Sequence, residues 1–394
     1  MVKVSRPAGT AARAPLAGAE RPWLGRAVRA AVLGLLVPAA MLAAPPARAA
    51  GPAPKSVAVI AIVDHPALDA VRDGVREALK AAGYDPAKNL KWQFQSAQGN
   101  NATAAQIARK FVGDRPDAIV AISTPAAQAV AAATKDVPLV YAAVTDPVAA
   151  QLIAAPPAAE APPPQPAAAP ARAVKSSRAA AAKAANAANT ANAGGTAVAA
   201  NANSGTNVTG VSDALPLDRQ IDLIRKIVPN AKRIGMVYNP GEANSVVVVK
   251  QLQDLLPKSG LSLIEAAAPR TVDVGSAARS LIGKADVIYA STDNNVVAAF
   301  ESLAKVSNDA RIPLVASDTE SVNRGAVAAL GVNYHDMGVQ AGRMVVRILK
   351  GEKPGAIAPE SAGKLMLYVN STAAQKQGVT LSDALLKSAA QVVH

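Results

Sequence analysis

The stretch AVTDPVAAQLIAAPPAAEAPPPQPAAAPARAV, Ala143–Val174, begins as a strand end and turn, then dissolves into alanine and proline. Order resumes at NVTGVSD, Asn207–Asp213. Whether the residues between them link two domains or interrupt one decides the fold. Residues 154–206 are mostly Ala, Pro and Asn, with Val174 and Val198 as their only large apolar residues. Such a segment cannot bury enough surface to offset its ordering entropy, so disorder is expected there. Lengthening a loop from about ten to about fifty residues costs only about 1.5 kcal/mol of closure entropy. Cost alone therefore does not separate linker from insertion.

On both sides of this stretch the chain alternates between strand and helix patterns. SVAVIAIVD from Ser56 is a continuous apolar run, as a buried parallel strand requires. In the helix that follows, Leu68, Val71, Val75 and Leu79 share one face, and Gly83 closes it. Further strands are expected at LKWQFQSAQ, AIVAIS and PLVYAAVTD, with helices between them. After the gap the same rhythm runs through RIGMVYN, LSLIEAAA, ADVIYAST, PLVASDT, AVAALGVN and KLMLYVN. NNVVAAFESLAKVSNDA, from Asn294, is expected to form one helix. The fold class is thus α/β, with two units of mostly parallel sheet flanked by helices.

Composition narrows the function. The chain has 394 residues and a net charge of +13, a balance that invites a nucleic-acid reading. Most of that charge lies in residues 1–49, where seven cations face Glu20, and in the low-complexity segment. The remainder is weakly positive and carries no footprint for nucleic acid. Within 1–49, a basic region ending at Arg29 precedes the apolar run Ala30–Ala44, which Pro38 interrupts, and then Ala47–Arg48–Ala49. This pattern predicts a Sec signal peptide cleaved after Ala49. With no cysteine, the exported chain is expected without disulfides or a lipid anchor, free in the periplasm.

Catalytic motifs are missing: there is no G-x-S-x-G, P-loop, G-x-G-x-x-G or H-E-x-x-H. His65, His335 and His394 have no metal-ligand spacing, so no metal or cofactor is expected. What recurs is a small polar or acidic group just after a strand, as in VDHPALD, ISTPAAQ, VTDPV, YNPGEANS, STDNN and ASDTE. Ligands of open α/β sheets sit at these carboxyl ends. Ser123 and Thr124 begin a helix with Pro125 in its first turn, where free N–H groups suit a carboxylate. Asp293 can accept from an ammonium. Taken singly, each such group also reads as a helix cap.

Together, VDHPALD, AQGN, IVAISTPAAQA, VYAAVTDPVAA, NVTGVSD, MVYNPGEANS, YASTDN and YHDMGVQAG…ILKGEKP resemble ABC-transporter substrate-binding proteins of the tryptophan- and tyrosine-binding type. The resemblance runs from about Ser56 to about Val379. It implies a type I periplasmic-binding-protein fold, two lobes joined by three crossings that close on an amino acid. On that basis the first lobe is expected at 56–146 with about 320–352 returning to it. The second is expected at 207–318 with about 362–392 returning, and the insertion beside the first crossing. Relatives replace the low-complexity run with a short loop, and some are lipoproteins, which this chain cannot be.

The site expected from this combination takes an aromatic amino acid. Ser123, Thr124 and the N–H groups after them, near Pro125 and Ala126, receive its carboxylate. Asp293, with Asp318, pairs its ammonium. Asn239, Glu242, Asn244, Ser291, Thr292 and Asn294 close from the second lobe, and Thr145 and Asp146 form the rim. Tyr141, Tyr238 and the turn His65, Pro66, Ala67 and Leu68 line the side-chain pocket. Asp293→Ala is expected to remove affinity while leaving the ligand-free melting temperature unchanged. The expected partners are a small-molecule ligand and an inner-membrane ABC permease, with the receptor a monomer. A ligand sensor of the same fold and an exported enzyme are the competing readings.

Overall fold

The computed structural model describes residues 54–155 and 206–394. The expected signal peptide and nearly all of the 154–206 segment lie outside the described residues.

The first sheet contains β1 (Lys55–Ala61), β2 (Leu90–Ser96), β3 (Ala118–Ile122), β4 (Leu139–Val144), β5 (Val208–Ser212) and β11 (Glu360–Ser361). Its order is β11-β5-β4-β3-β1-β2, and all neighbours are parallel. Every residue of β3, β4 and β5 is buried, as strands covered on both faces must be. Helices α1 (Pro66–Ala81), α2 (Asn101–Asp114) and α3 (Thr124–Ala133) connect the first four strands. Small and branched aliphatic side chains fill most of the core, with Phe111, Tyr141 and Tyr334 as its buried aromatic residues.

The second sheet contains β6 (Arg233–Tyr238), β7 (Ser262–Ala267), β8 (Val287–Ala290), β9 (Leu314–Ala316), β10 (Ala328–Val332), β12 (Leu365–Asn370) and β13 (Gln391–Val393). Its order is β13-β12-β10-β9-β8-β6-β7, parallel except where β12 runs against β10. One face packs on α4 (Leu217–Ile227) and α5 (Ala243–Leu255), with Ala374 and Leu385 from the short α10 (Ser371–Lys376) and α11 (Asp383–Ser388). The other packs on α6 (Val274–Ser280) and α8 (Phe300–Ala310). The single helix expected from Asn294 breaks at Ala299, leaving the separate short α7 (Asn294–Ala298).

α9 (Tyr334–Leu349) follows β10 but packs in the first lobe, along α1. Two glycines allow the helices to touch. A Cβ on Gly74 would stand 2.2 Å from the His335 carbonyl oxygen, and one on Gly338 2.2 Å from that of Val71. The expected boundaries are therefore corrected twice. Of the segment returning at 320–352, β10 belongs to the second sheet and only the helix to the first lobe. NVTGVSD does not begin the second lobe: β5 pairs with β4, Tyr141 opposite Gly210. An all-buried strand needs a paired neighbour and two covered faces, and the open edge of β4 supplies them.

The long segment thus joins adjacent strands of one lobe, and the first crossing, residues 213–216, comes after β5. The second crossing is Asn333 and the third residues 362–364. Among the described residues, no helix is long and apolar enough to cross a membrane.

Candidate ligand-binding cleft

The carboxyl ends of β1, β3, β4 and β5 face those of β6, β8 and β9 across the cleft, where open parallel sheets present their loops. On the first-lobe side, His65 follows β1 and caps α1, its Nδ1 accepting from the Ala67 N–H at 3.1 Å. That bond leaves the proton of the neutral ring on Nε2. Burial lowers the His65 pKa, against the pull of Asp318, so the neutral ring is favoured. Ser123 follows β3 with φ of +85°, a conformation unusual for a residue with a side chain. It heads α3, and no side chain caps that helix. The first-turn N–H groups have no carbonyl beneath them, which gives the cleft a positive pole.

β4 ends in a register shift at Ala142/Val144, with Ala143 at φ of +55°. The distortion delivers Thr145 to the second lobe, where its hydroxyl lies 3.4 Å from that of Thr292. After β5, Asp213 is buried on the first crossing, and its Oδ2 accepts from the Tyr334 hydroxyl at 3.1 Å. Burial raises the Asp213 pKa, while the hydrogen bond from Tyr334 opposes the rise.

The second-lobe wall is organised by two buried carboxylates. Glu242 Oε2 accepts from the Asn294 N–H (3.1 Å), the Asn294 side-chain amide (2.7 Å) and the Asn244 amide (3.3 Å). Asn239 Nδ2 donates to its other oxygen at 3.4 Å. The Asn244 amide also donates to the Thr292 carbonyl at 3.1 Å. With Nδ2 held by groups that only accept, the Asn244 oxygen is the atom left to the cleft. Asp293 Oδ2 accepts from the Asn239 N–H and Ser245 hydroxyl, both at 2.6 Å, and its Oδ1 from the Val296 N–H at 3.0 Å. Burial raises both carboxyls, Glu242 to about 7, and the Asp293 charge adds to the rise at Glu242.

A narrow chamber lies between these walls, about 370 Å³ not filled by atoms and partly open to solvent. Among the described residues, four of its buried polar atoms have no hydrogen-bond partner: His65 Nε2, Ser123 Oγ, Asp213 Oδ1 and Asn244 Oδ1. They form two poles. The His65 N–H, the Ser123 hydroxyl and the α3 terminus donate, whereas Asp213 and Asn244 accept. Ala67, Leu68, Ala143, Val297 and the Tyr334 ring supply apolar surface.

Of the expected site residues, His65, Ala67, Leu68, Ser123, Thr124, Thr145, Asn244, Thr292, Asn294 and Asp318 meet at this chamber. Others do not. Pro66 is exposed, and Pro125 and Ala126 are buried in α3 behind the cleft wall. Tyr238 donates to Glu265 at 2.8 Å on an exposed face, because the last residue of β6 finds its partner on the edge strand β7. Asn239 and Glu242 brace the wall rather than line it. Asp293 does not line the chamber, and its oxygens are engaged by three internal donors. Asp318 lines the chamber, yet both its oxygens are engaged by Ser321. Tyr141, Asp146 and Ser291 border a neighbouring space.

Sequence reasoning missed Asp213, Tyr334, Ala143 and Val297. Asp213 carried a legible signal, an acid directly after a strand. Tyr334 reaches the cleft only because α9 returns to the first lobe.

Comparison with known proteins agrees with this architecture. The family model described as ABC transporter substrate binding protein matches residues 56–160 and 175–393. The tyrosine-binding protein of Clostridioides difficile is 34% identical over 316 residues, covering 80% of this chain and 79% of that protein. A conserved domain protein of Vibrio cholerae is 40% identical with a TM-score of 0.73, covering 86% of this chain and 99% of that structure. The ABC domain of Streptococcus pneumoniae in complex with L-Trp is 29% identical with a TM-score of 0.72, covering 86% and 100%.

Proposed function

This chain belongs to the ABC transporter substrate binding protein family, and from that premise we propose that it is the exported receptor of an importer for an aromatic amino acid. The observation that carries the ligand class is the division of the chamber into a donating and an accepting pole. An α-amino acid is a zwitterion, and a closed cleft must satisfy both charges with paired groups. The Ser123 hydroxyl, the His65 N–H and the start of α3 receive the carboxylate. Asp213 Oδ1 and Asn244 Oδ1 receive the ammonium. Ala67, Leu68, Val297 and the Tyr334 ring hold the side chain. The tyrosine named for the C. difficile relative and the L-Trp of the S. pneumoniae complex support an aromatic one.

Binding at the junction of the lobes couples ligand to lobe position, because Asp213 and Tyr334 sit on or beside crossings while Asn244 and Thr292 belong to the second lobe. The closed pair is the form an inner-membrane permease distinguishes, and the periplasm is the compartment. A thermal-shift screen against the amino acids tests the reading. Ligand at 100 times its Kd adds about 2.7 kcal/mol of stability. Tyrosine, tryptophan or phenylalanine should raise the melting temperature. A response only to sugars or purines would overturn the ligand class. Trp92, at the start of β2 and away from the cleft, is a poor reporter of binding.

A further inference from the structure

The interlobe space does not end at the chamber described above. Beyond the Thr145–Thr292 contact lies a larger one, about 1040 Å³ not filled by atoms and partly open to solvent. Thr145, Asp213 and Thr292 line both, so the two chambers share a wall. The second is polar at its base. Tyr141 OH, Tyr289 OH and Ser291 Oγ border it, and none has a hydrogen-bond partner among the described residues. Their residues are 0%, 1% and 2% exposed. Gly210 makes room for one of them: a Cβ there would stand 2.5 Å from the Tyr141 ring.

Three buried hydroxyls left unpaired would be costly, since each withholds a donor and an acceptor from water. A peptide carbonyl, with two lone pairs, offers acceptors to such hydroxyls. The walls are apolar, from Val247 and Val248 of α5 and Leu215 of the first crossing. Asp146 and Glu360 stand at the border, and no Lys, Arg or His of the described residues lines the chamber. This lining disfavours an anion and suits a neutral polar group followed by an ammonium.

We propose that the site accepts short peptides as well as free amino acids, the extension lying in the second chamber. A dipeptide with an aromatic C-terminal residue places that residue in the first chamber, its carboxylate at the start of α3. Its peptide N–H donates to Asp213 Oδ1, which in the free amino acid receives the ammonium. The Thr145 and Thr292 hydroxyls, 3.4 Å apart, must part for the chain to pass between them. The peptide carbonyl accepts from two of the Tyr141, Tyr289 and Ser291 hydroxyls, and the N-terminal ammonium donates to the third and faces Asp146 and Glu360. This assignment rests on the orientation given under Proposed function.

Isothermal titration of the full chain with L-tyrosine, L-alanyl-L-tyrosine and L-tyrosyl-L-alanine tests it. Alanyl-tyrosine should bind, and tyrosyl-alanine more weakly by at least tenfold. Val247→Phe fills the second chamber from the half-buried face of α5, with Val247→Met as the milder filler. Either should weaken alanyl-tyrosine at least tenfold and shift tyrosine less than threefold. Tyrosine binding without any dipeptide binding overturns the second chamber and leaves the amino-acid receptor standing. Binding of neither overturns the reading beneath it. Equal losses for both ligands in the fillers would show that the extension does not lie there.

Discussion

The Tyr334 hydroxyl donates to Asp213 Oδ2 over 3.1 Å and so ties the first crossing to the residue that follows the second. Both residues are buried, and Asp213 keeps its other oxygen for the cleft. One hydrogen bond therefore joins the hinge to the accepting pole. Tyr334→Phe preserves the ring and removes the donor. It should weaken amino-acid affinity about tenfold, the equivalent of about 1.4 kcal/mol. Titration calorimetry reads the loss directly, and an unchanged Kd would separate the hinge contact from binding.

Asp213 and Asp293 should respond in opposite ways. Asp213→Asn keeps an acceptor for Tyr334 but removes the charge, so affinity should fall by at least tenfold while the ligand-free melting temperature holds or rises. Asp293→Ala strips the Asn239 N–H, the Ser245 hydroxyl and the Val296 N–H of their acceptor. It should cost about 2–4 kcal/mol of ligand-free stability. This replaces the expectation that Asp293→Ala removes affinity at unchanged stability. Thermal melts and titrations of the two variants side by side distinguish the roles.

Glu242 sets a pH dependence. Its carboxyl rises from an ordinary 4.5 to about 7, chiefly through burial. Between those values the folded protein holds a proton that the unfolded chain has released, so stability is greatest at the acid end and falls as pH rises. Burial raises Asp293 and Asp213 too, in the same sense. The ligand-free protein should melt higher at about pH 5.5 than at about pH 8, and Glu242→Gln should flatten that slope. A wild-type melting temperature that climbs with pH over this range would contradict the assignment.

Ser123 combines strain with function. At φ of +85° a serine costs about 1–3 kcal/mol relative to an unstrained position. Ser123→Gly should therefore raise ligand-free stability by about 1 kcal/mol. It should also weaken carboxylate-bearing ligands, because the hydroxyl disappears from the donating pole. A glycine variant less stable than the parent would show that the conformation carries no strain.

Residues 156–203 connect strands of a single lobe, so their length should matter little to ligand. A linker of about ten Gly/Ser residues spans roughly 17 Å on average, comparable to the length of a strand. The replacement should express as soluble protein with an unchanged tyrosine Kd. Loss of folding would assign the native segment a structural role.

Much of the molecule could be read along the chain. Continuous apolar runs such as VAVIAI announce parallel strands, and helix caps at His65, Asn100, Asn333 and Asn370 lie at the ends of their patterns. The polar strand ends brought Ser123, Thr145 and Asn244 to one chamber because a parallel sheet sends all its carboxyl ends the same way. The same sequence logic could not tell an acid that faces ligand from one that caps a helix. Asp213, Asp293 and Asp318 are alike in sequence, each an acid shortly after a strand, and only the count of internal donors separates them.

The opening stretch divides along the same line. Apolar periodicity is a local property, so the chain itself shows the α/β rhythm stopping within Ala143–Val174 and resuming at Asn207. Which lobe receives the resumed strand is a matter of tertiary contacts. That choice depends on an open edge at β4 and on Gly210 admitting the Tyr141 ring, contacts between residues about seventy positions apart that no local pattern encodes.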